Sequence, residues 1–103
     1  MNDAVRAFLA SATTERGLRA GFEEEGVPLE IERAAGDALA LACDAARQAP
    51  LGIGIGADGD RLVLILAARP RVPYLEAPIT EARTFAHAAA RVVARRPLSR
   101  GVR

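Results

Sequence analysis

The 103-residue chain holds 14 basic and 13 acidic residues, a formal net charge of +1, and half of it is hydrophobic, which fits one domain with its own core. A single cysteine, Cys43, excludes an intramolecular disulfide and fits a reducing compartment. No apolar run approaches the ~18 residues of a membrane span, and Met1–Ala10 lacks the basic start of a signal peptide.

The charge is unevenly laid out. Residues 1–60 hold 11 acids and 5 arginines, and residues 61–103 hold 2 acids and 9 arginines. Every basic residue is Arg. Such a division reads either as compositional bias with a solvated tail or as opposed contact faces on a subunit. The basic end lacks interleaved aromatics, which argues against nucleic-acid binding.

Ala4–Ala10 is short and apolar and predicts a first strand. After the polar break Ser11–Thr14, Glu15–Glu25 predicts a helix. Leu18 and Phe22 share one face of it, and Glu15 and Arg19 pair on another. Gly17 and Gly21 stand four apart and permit close approach of a neighbour, and Gly26 suits the left-handed position that ends a helix. Glu23, Glu24 and Glu25 crowd the last turn, where the helix end is already partly negative. They form either a solvated acidic face or a group that meets a cation or a partner's basic residue.

Val27–Arg33 alternates and starts with Pro28, as an edge strand does. Asp37 then caps a second helix with Leu39, Ala42, Cys43 and Ala46 as its apolar stripe, stopped by Pro50. Cys43 on that stripe reads as a small core residue. Ile53–Ala57 and Arg61–Leu66 flank Asp58-Gly59 and predict a hairpin. Its strands are apolar at nearly every position, so both faces should be buried under helices.

Gly52, Gly54 and Gly56 alternate and predict a glycine face for close approach, either of a packed helix or of a partner's backbone. They are not a dinucleotide fingerprint, because the following turn leads to a strand rather than a helix. Ala68–Pro73 reads as a loop and Tyr74–Ala77 as a short strand. Pro78 and an N-capping Thr80 open a last helix running to about Arg95. Phe85, Ala89, Val92 and Val93 form its apolar stripe, and Arg83, His87, Arg91 and Arg95 a basic one, with His87 read as an exposed surface residue. Pro97 ends it, and residues 98–103 read as a disordered tail.

The order of strands and helices implies an α/β fold with right-handed parallel crossovers and one antiparallel strand. Ser11, His87 and Asp37 can be named as a triad, but no nucleophile motif frames them. One His and one Cys cannot make a conventional metal site of those ligands. The chemistry reads as that of a binding domain.

Several runs, Gly21-Phe22-Glu23-Glu24-Glu25-Gly26-Val27-Pro28, Ala35-Gly36-Asp37, Ala45-Ala46-Arg47-Gln48-Ala49-Pro50-Leu51 leading into Gly54-Ile55-Gly56, and Ala89-Ala90-Arg91-Val92-Val93, occur here in an order and spacing that resemble one family. It is the small subunit of the diol/glycerol dehydratase reactivating factor, itself similar to the medium subunit of cobalamin-dependent dehydratases. One position departs: members usually carry Asn where this chain has Ala88.

The resemblance implies a three-layer α/β/α fold with a mixed five-stranded sheet, and a non-catalytic role. It implies a large ATPase subunit as partner. It further implies that during reactivation the small subunit leaves, the dehydratase medium subunit takes its place on the large subunit, and damaged cobalamin escapes. It implies that Glu24 reaches a Mg²⁺ ion held by the large subunit. Beside it, Glu23, Glu25 and the glycine face of Gly52, Gly54 and Gly56 are expected at the partner interface. No direct cobalamin contact, nucleic acid or membrane is expected. The expected setting is cytoplasmic, with association with a bacterial microcompartment left open. Two other readings stand beside it: a medium-subunit-like chain of a dehydratase, and a free-standing interaction domain. The length favours the first, since 103 residues barely cover the shared domain.

Overall fold

The computed structural model describes residues 4–95, for Arg95 the backbone only. The expected tail therefore lies outside the described residues, as do Pro97 and the side chain of Arg95. The order is β1 (Val5–Leu9), α1 (Glu15–Glu25), β2 (Leu29–Arg33), α2 (Ala38–Gln48), β3 (Ile53–Ala57), β4 (Arg61–Leu66), β5 (Leu75–Pro78), a 3₁₀ turn (Ile79–Glu81) and α3 (Ala82–Arg95). The sheet has the strand order β2-β1-β3-β4-β5. β1 is parallel to β2 and β3, and the hairpin makes β4 antiparallel. β5 pairs antiparallel with β4.

The apolar hairpin forms over the expected residues and lies in the sheet interior, with β3 buried throughout. Its period of two divides the core. Ile53, Ile55, Leu62 and Leu64 join Val5, Ala7 and Leu9 under α1 and α3, around Leu18, Phe22 and Phe85. Val63 and Ile65 face the other way, onto Ala38, Ala42 and Ala46 of α2. Each fully buried side chain such as Leu18 or Phe22 contributes about 1.5–3 kcal/mol. The outcome is three layers, two helices on one face and one on the other.

Two helix faces are rotated from their expected positions. In α2 the buried residues are Ala38, Leu41, Ala42, Ala45 and Ala46, while Leu39 and Cys43 are only partly buried. In α3 they include Phe85, Ala86, Ala89 and Ala90, with Val92 and Val93 nearer the surface. The reason is the same in both. Small alanines make up most of the close contact, with Leu41 and Phe85 as the one large buried side chain named in each, while Leu39, Val92 and Val93 sit at its margin.

The start of α3 also differs. Thr80 lies within the 3₁₀ turn rather than capping α3, and Pro78 precedes that turn. The hairpin turn is held differently from the expectation too. Gly59 is not among the residues with positive φ. Instead the Asp58 carboxylate accepts from the backbone N–H groups of Asp60 at 2.8 Å and Arg61 at 3.0 Å, a local bond that Asp makes readily in turns. Its other oxygen accepts from Ala38 N at 2.9 Å, while Asp37 accepts from Ala40 N at 2.8 Å. Two carboxylates thus serve the start of α2. Burial pushes the Asp58 carboxyl up, but the three N–H donors and Arg61 outweigh it and hold the group below its ordinary value.

Candidate functional site

Connectivity decides where the polar residues collect. β1, β2 and β3 are parallel, so α1 and α2 must run back and end where those strands begin. α3 runs alongside α1 in the same direction, since Gly17 lies against Ala82, Gly21 against Ala86, and Glu25 against Arg91. The C-terminal ends of α1 and α2 therefore share one end of the sheet with Glu23–Glu25, Gly52 and the β4–β5 loop.

The contact between α1 and α3 is what the paired glycines permit. A Cβ on Gly21 would lie 2.4 Å from the Ala86 Cβ and 2.9 Å from the Arg83 carbonyl oxygen. One on Gly17 would lie 2.9 Å from the Ala82 Cβ. With the axes this close, the acidic turn of α1 meets the basic stripe of α3. Glu24 takes Arg83 on both oxygens, with Nε at 3.3 Å from Oε1. His87 Nε2 lies 2.7 Å from Glu24 Oε1, and His87 Nδ1 lies 2.7 Å from Glu25 Oε2. Arg91 Nε reaches the same Glu25 oxygen at 3.2 Å.

Both imidazole nitrogens face carboxylates, an arrangement satisfied when both carry protons. Glu25, then Glu24, accordingly raises the His87 pKa. Arg83, then His87, lowers that of Glu24, and His87, with Arg91, lowers that of Glu25. The cluster also answers the unfavourable helix end, because three cationic groups offset carboxylates placed against the dipole. His87 is thus not a plain surface residue as expected; it is half-buried and held from both sides. The sequence spacing of Arg83, His87 and Arg91 was the visible signal for this stripe. Its pairing with Glu24 and Glu25 needed the helix contact to be known.

The expected interface residues do not all share a surface. Glu23 and Glu24 are exposed, and Glu25 is partly so. Gly52 precedes β3, has φ 69°, and is partly exposed at the same end of the sheet. Gly54 and Gly56 are a correction. Both are buried, and a Cβ on either would meet the α2 backbone, at 2.1 Å from Ala46 N and 2.2 Å from the Ala38 carbonyl oxygen respectively. The glycine face is filled by a helix of the same chain and leaves a partner no access to these two positions. The nameable triad does not assemble either. Ser11 donates to Thr13 at the opposite end of the sheet from His87.

Among the described residues no group of three His, Cys, Asp or Glu is arranged to hold a metal ion. Glu24 offers a hard oxygen ligand at the surface, its side chain 41% exposed. A carboxylate of this kind suits a shared site in which the other ligands come from elsewhere.

Residues 4–99 match the profile of the dehydratase medium subunit family. The chain belongs to that family. Among solved structures it is similar to a glycerol dehydratase reactivase, with 31% identity and a TM-score of 0.82 over 90% of this chain and 93% of that one. It is also similar to a diol dehydratase-reactivating factor determined with ADP and Mg²⁺, with 27% identity and a TM-score of 0.80 over 91% and 94%. No curated protein matches. Ala88, where the reactivase resemblance leads one to expect Asn, is half-buried on α3 next to His87. Among the described residues no helix is long and apolar enough to cross a membrane.

Proposed function

We propose that this chain is the small, non-catalytic subunit of a diol or glycerol dehydratase reactivase. It binds a large ATPase subunit and gives way to the dehydratase during ATP-dependent release of damaged cobalamin. The observation that carries this reading is 31% identity with a TM-score of 0.82 to a glycerol dehydratase reactivase, over nine-tenths of both chains.

The end of the sheet described above supplies the contact. Glu24 ligates a Mg²⁺ ion belonging to the large subunit, with Glu23, Glu25 and Gly52 beside it. That ion supplies a charge which a carboxylate from each subunit can share, and so makes association metal-dependent. To reach it, Glu24 gives up Arg83 and His87. His87 then remains with Glu25, so the helix end keeps part of its neutralisation. The protein is read as cytoplasmic.

The test is the affinity for the purified large subunit with and without Mg²⁺, for the wild type and Glu24→Ala. Weaker binding by the variant, only when Mg²⁺ is present, supports the role. An equal affinity under all four conditions removes Glu24 from it. A second reading, a subunit of the dehydratase itself, is favoured by the name of the matched family. Co-purification with dehydratase subunits carrying cobalamin absorbance would select it.

A further inference from the structure

Among the described residues, the large hydrophobic side chains that stand exposed are Val72, at 49%, and Tyr74, at 55%. They lie two residues apart in the connection between β4 and β5. With Leu66, Arg69 and Pro73 they line a concavity of about 150 Å³. Arg71 between them has φ 68°, the one non-glycine residue with positive φ among those described. Such a conformation costs on the order of 1 kcal/mol or more and persists where something else requires it.

The loop also carries cationic charge without an acid of its own. Arg6, Arg19, Arg47, Arg61, Arg83 and Arg91 all hold carboxylates of their own chain. Among the described residues Arg16, Arg33, Arg69 and Arg71 hold none; Arg16 and Arg33 stand singly, whereas Arg69 and Arg71 lie together with the exposed Val72 and Tyr74 in a segment, 67–74, that contains no acid. An exposed Tyr beside free arginines is the composition that dominates protein interfaces. The loop is at the end of the sheet where Glu23–Glu25 and Gly52 lie, so it continues that face.

We propose that the β4–β5 loop, through Val72, Tyr74, Arg69 and Arg71, docks on a partner protein that presents an apolar pocket rimmed by carboxylates. The inference deepens the subunit reading above and rests on it, the partner being the large subunit. Tyr74 enters the pocket and the two guanidiniums meet its rim, which fixes the direction in which the small subunit lies.

The experiment is a titration of the purified large subunit with the wild-type chain and with Tyr74→Ser, Tyr74→Phe, Arg71→Glu and Arg71→Gly. Tyr74→Ser and Arg71→Glu should weaken binding by about tenfold or more, and Tyr74→Phe should retain most of it. Arg71→Gly should raise the melting temperature by relieving the left-handed backbone, yet weaken binding; a purely structural loop would change stability alone. Wild-type binding with unchanged affinity in all four variants overturns this inference and leaves the subunit reading standing. Absence of wild-type binding overturns the subunit reading and this inference with it. Self-association of the chain that Tyr74→Ser abolishes would assign the patch to a second copy, also overturning the proposal.

Discussion

The two ends of the sheet are built from the same kinds of residue and reach opposite results. At one end Asp58 and Asp37 turn onto the backbone. Between them they accept from four backbone N–H groups, which ties the hairpin turn to the start of α2. At the other end Glu24 and Glu25 meet side chains, Arg83, His87 and Arg91, on the surface. A carboxylate held by backbone donors of its own fold is committed to that fold. One held by long side chains at the surface can exchange them for a partner. The comparison therefore separates an end whose carboxylates maintain the fold from the end proposed above to bind a partner. Substitutions should follow that division, costing stability at the first and binding at the second.

The largest effect on stability is expected between the two ends, where β3 carries the sheet against α2. Gly56→Val would force a side chain into the Ala38 carbonyl and the Ala42 N–H, at 2.2 and 2.3 Å. Backbone cannot yield as a flexible side chain does, so a loss of about 3 kcal/mol or more is expected. Soluble yield and thermal unfolding would show it, and a variant that melts like the wild type contradicts the packing described. Gly21→Leu acts on the other layer by separating α1 from α3. It should cost about 1–3 kcal/mol through overpacking, partly offset by better helix propensity, and it should also break the contacts of Glu24 and Glu25 with α3. Denaturant unfolding measures the first effect and the His87 NMR titration the second.

Asp58→Ala tests the closed end. Losing a helix-capping and turn-holding carboxylate should cost about 1–2 kcal/mol, with affinity for a partner unchanged. Its lowered pKa makes this contribution present above the ordinary Asp value of 3.8 and lost as pH falls through the depressed value. The wild type and Asp58→Ala should therefore converge in stability in acid; divergence there would contradict the assignment.

The smallest effect belongs to the exposed cluster. The raised His87 pKa contributes stability in full below 6.5, and that contribution is lost as pH rises through the raised value. The lowered Glu24 and Glu25 values contribute above 4.5 and are lost as pH falls. Melting temperatures of the wild type and His87→Gln should differ most between about 4.5 and 6.5 and approach each other at alkaline pH. A gap that widens with rising pH would contradict the doubly bonded imidazolium.

What could be read from the sequence follows the same physical division. The hairpin, α1 and the Asp37 cap were legible because apolar runs around the Asp58-Gly59 turn, four-residue spacing and capping are local signals. The use of Gly17 and Gly21 for close approach was legible as a possibility, while the identity of the neighbour was not. The glycine face of β3 carried two meanings, helix or partner, because a missing side chain says that something comes close and not which chain it belongs to. Gly54 and Gly56 were assigned to the partner and belong to α2. The Glu24–Arg83 and Glu25–His87 contacts join residues about 60 positions apart, a separation that no local pattern spans. Asp58 was seen as a turn residue, and its second role at Ala38 appears only once the hairpin lies beside α2.

The most direct measurement is the association of this chain with the large ATPase subunit from the same source, set against its association with the dehydratase subunits. The account predicts a complex with the ATPase subunit that weakens when Mg²⁺ is removed. A chain that ignores the ATPase subunit and is retained only by the dehydratase would contradict it.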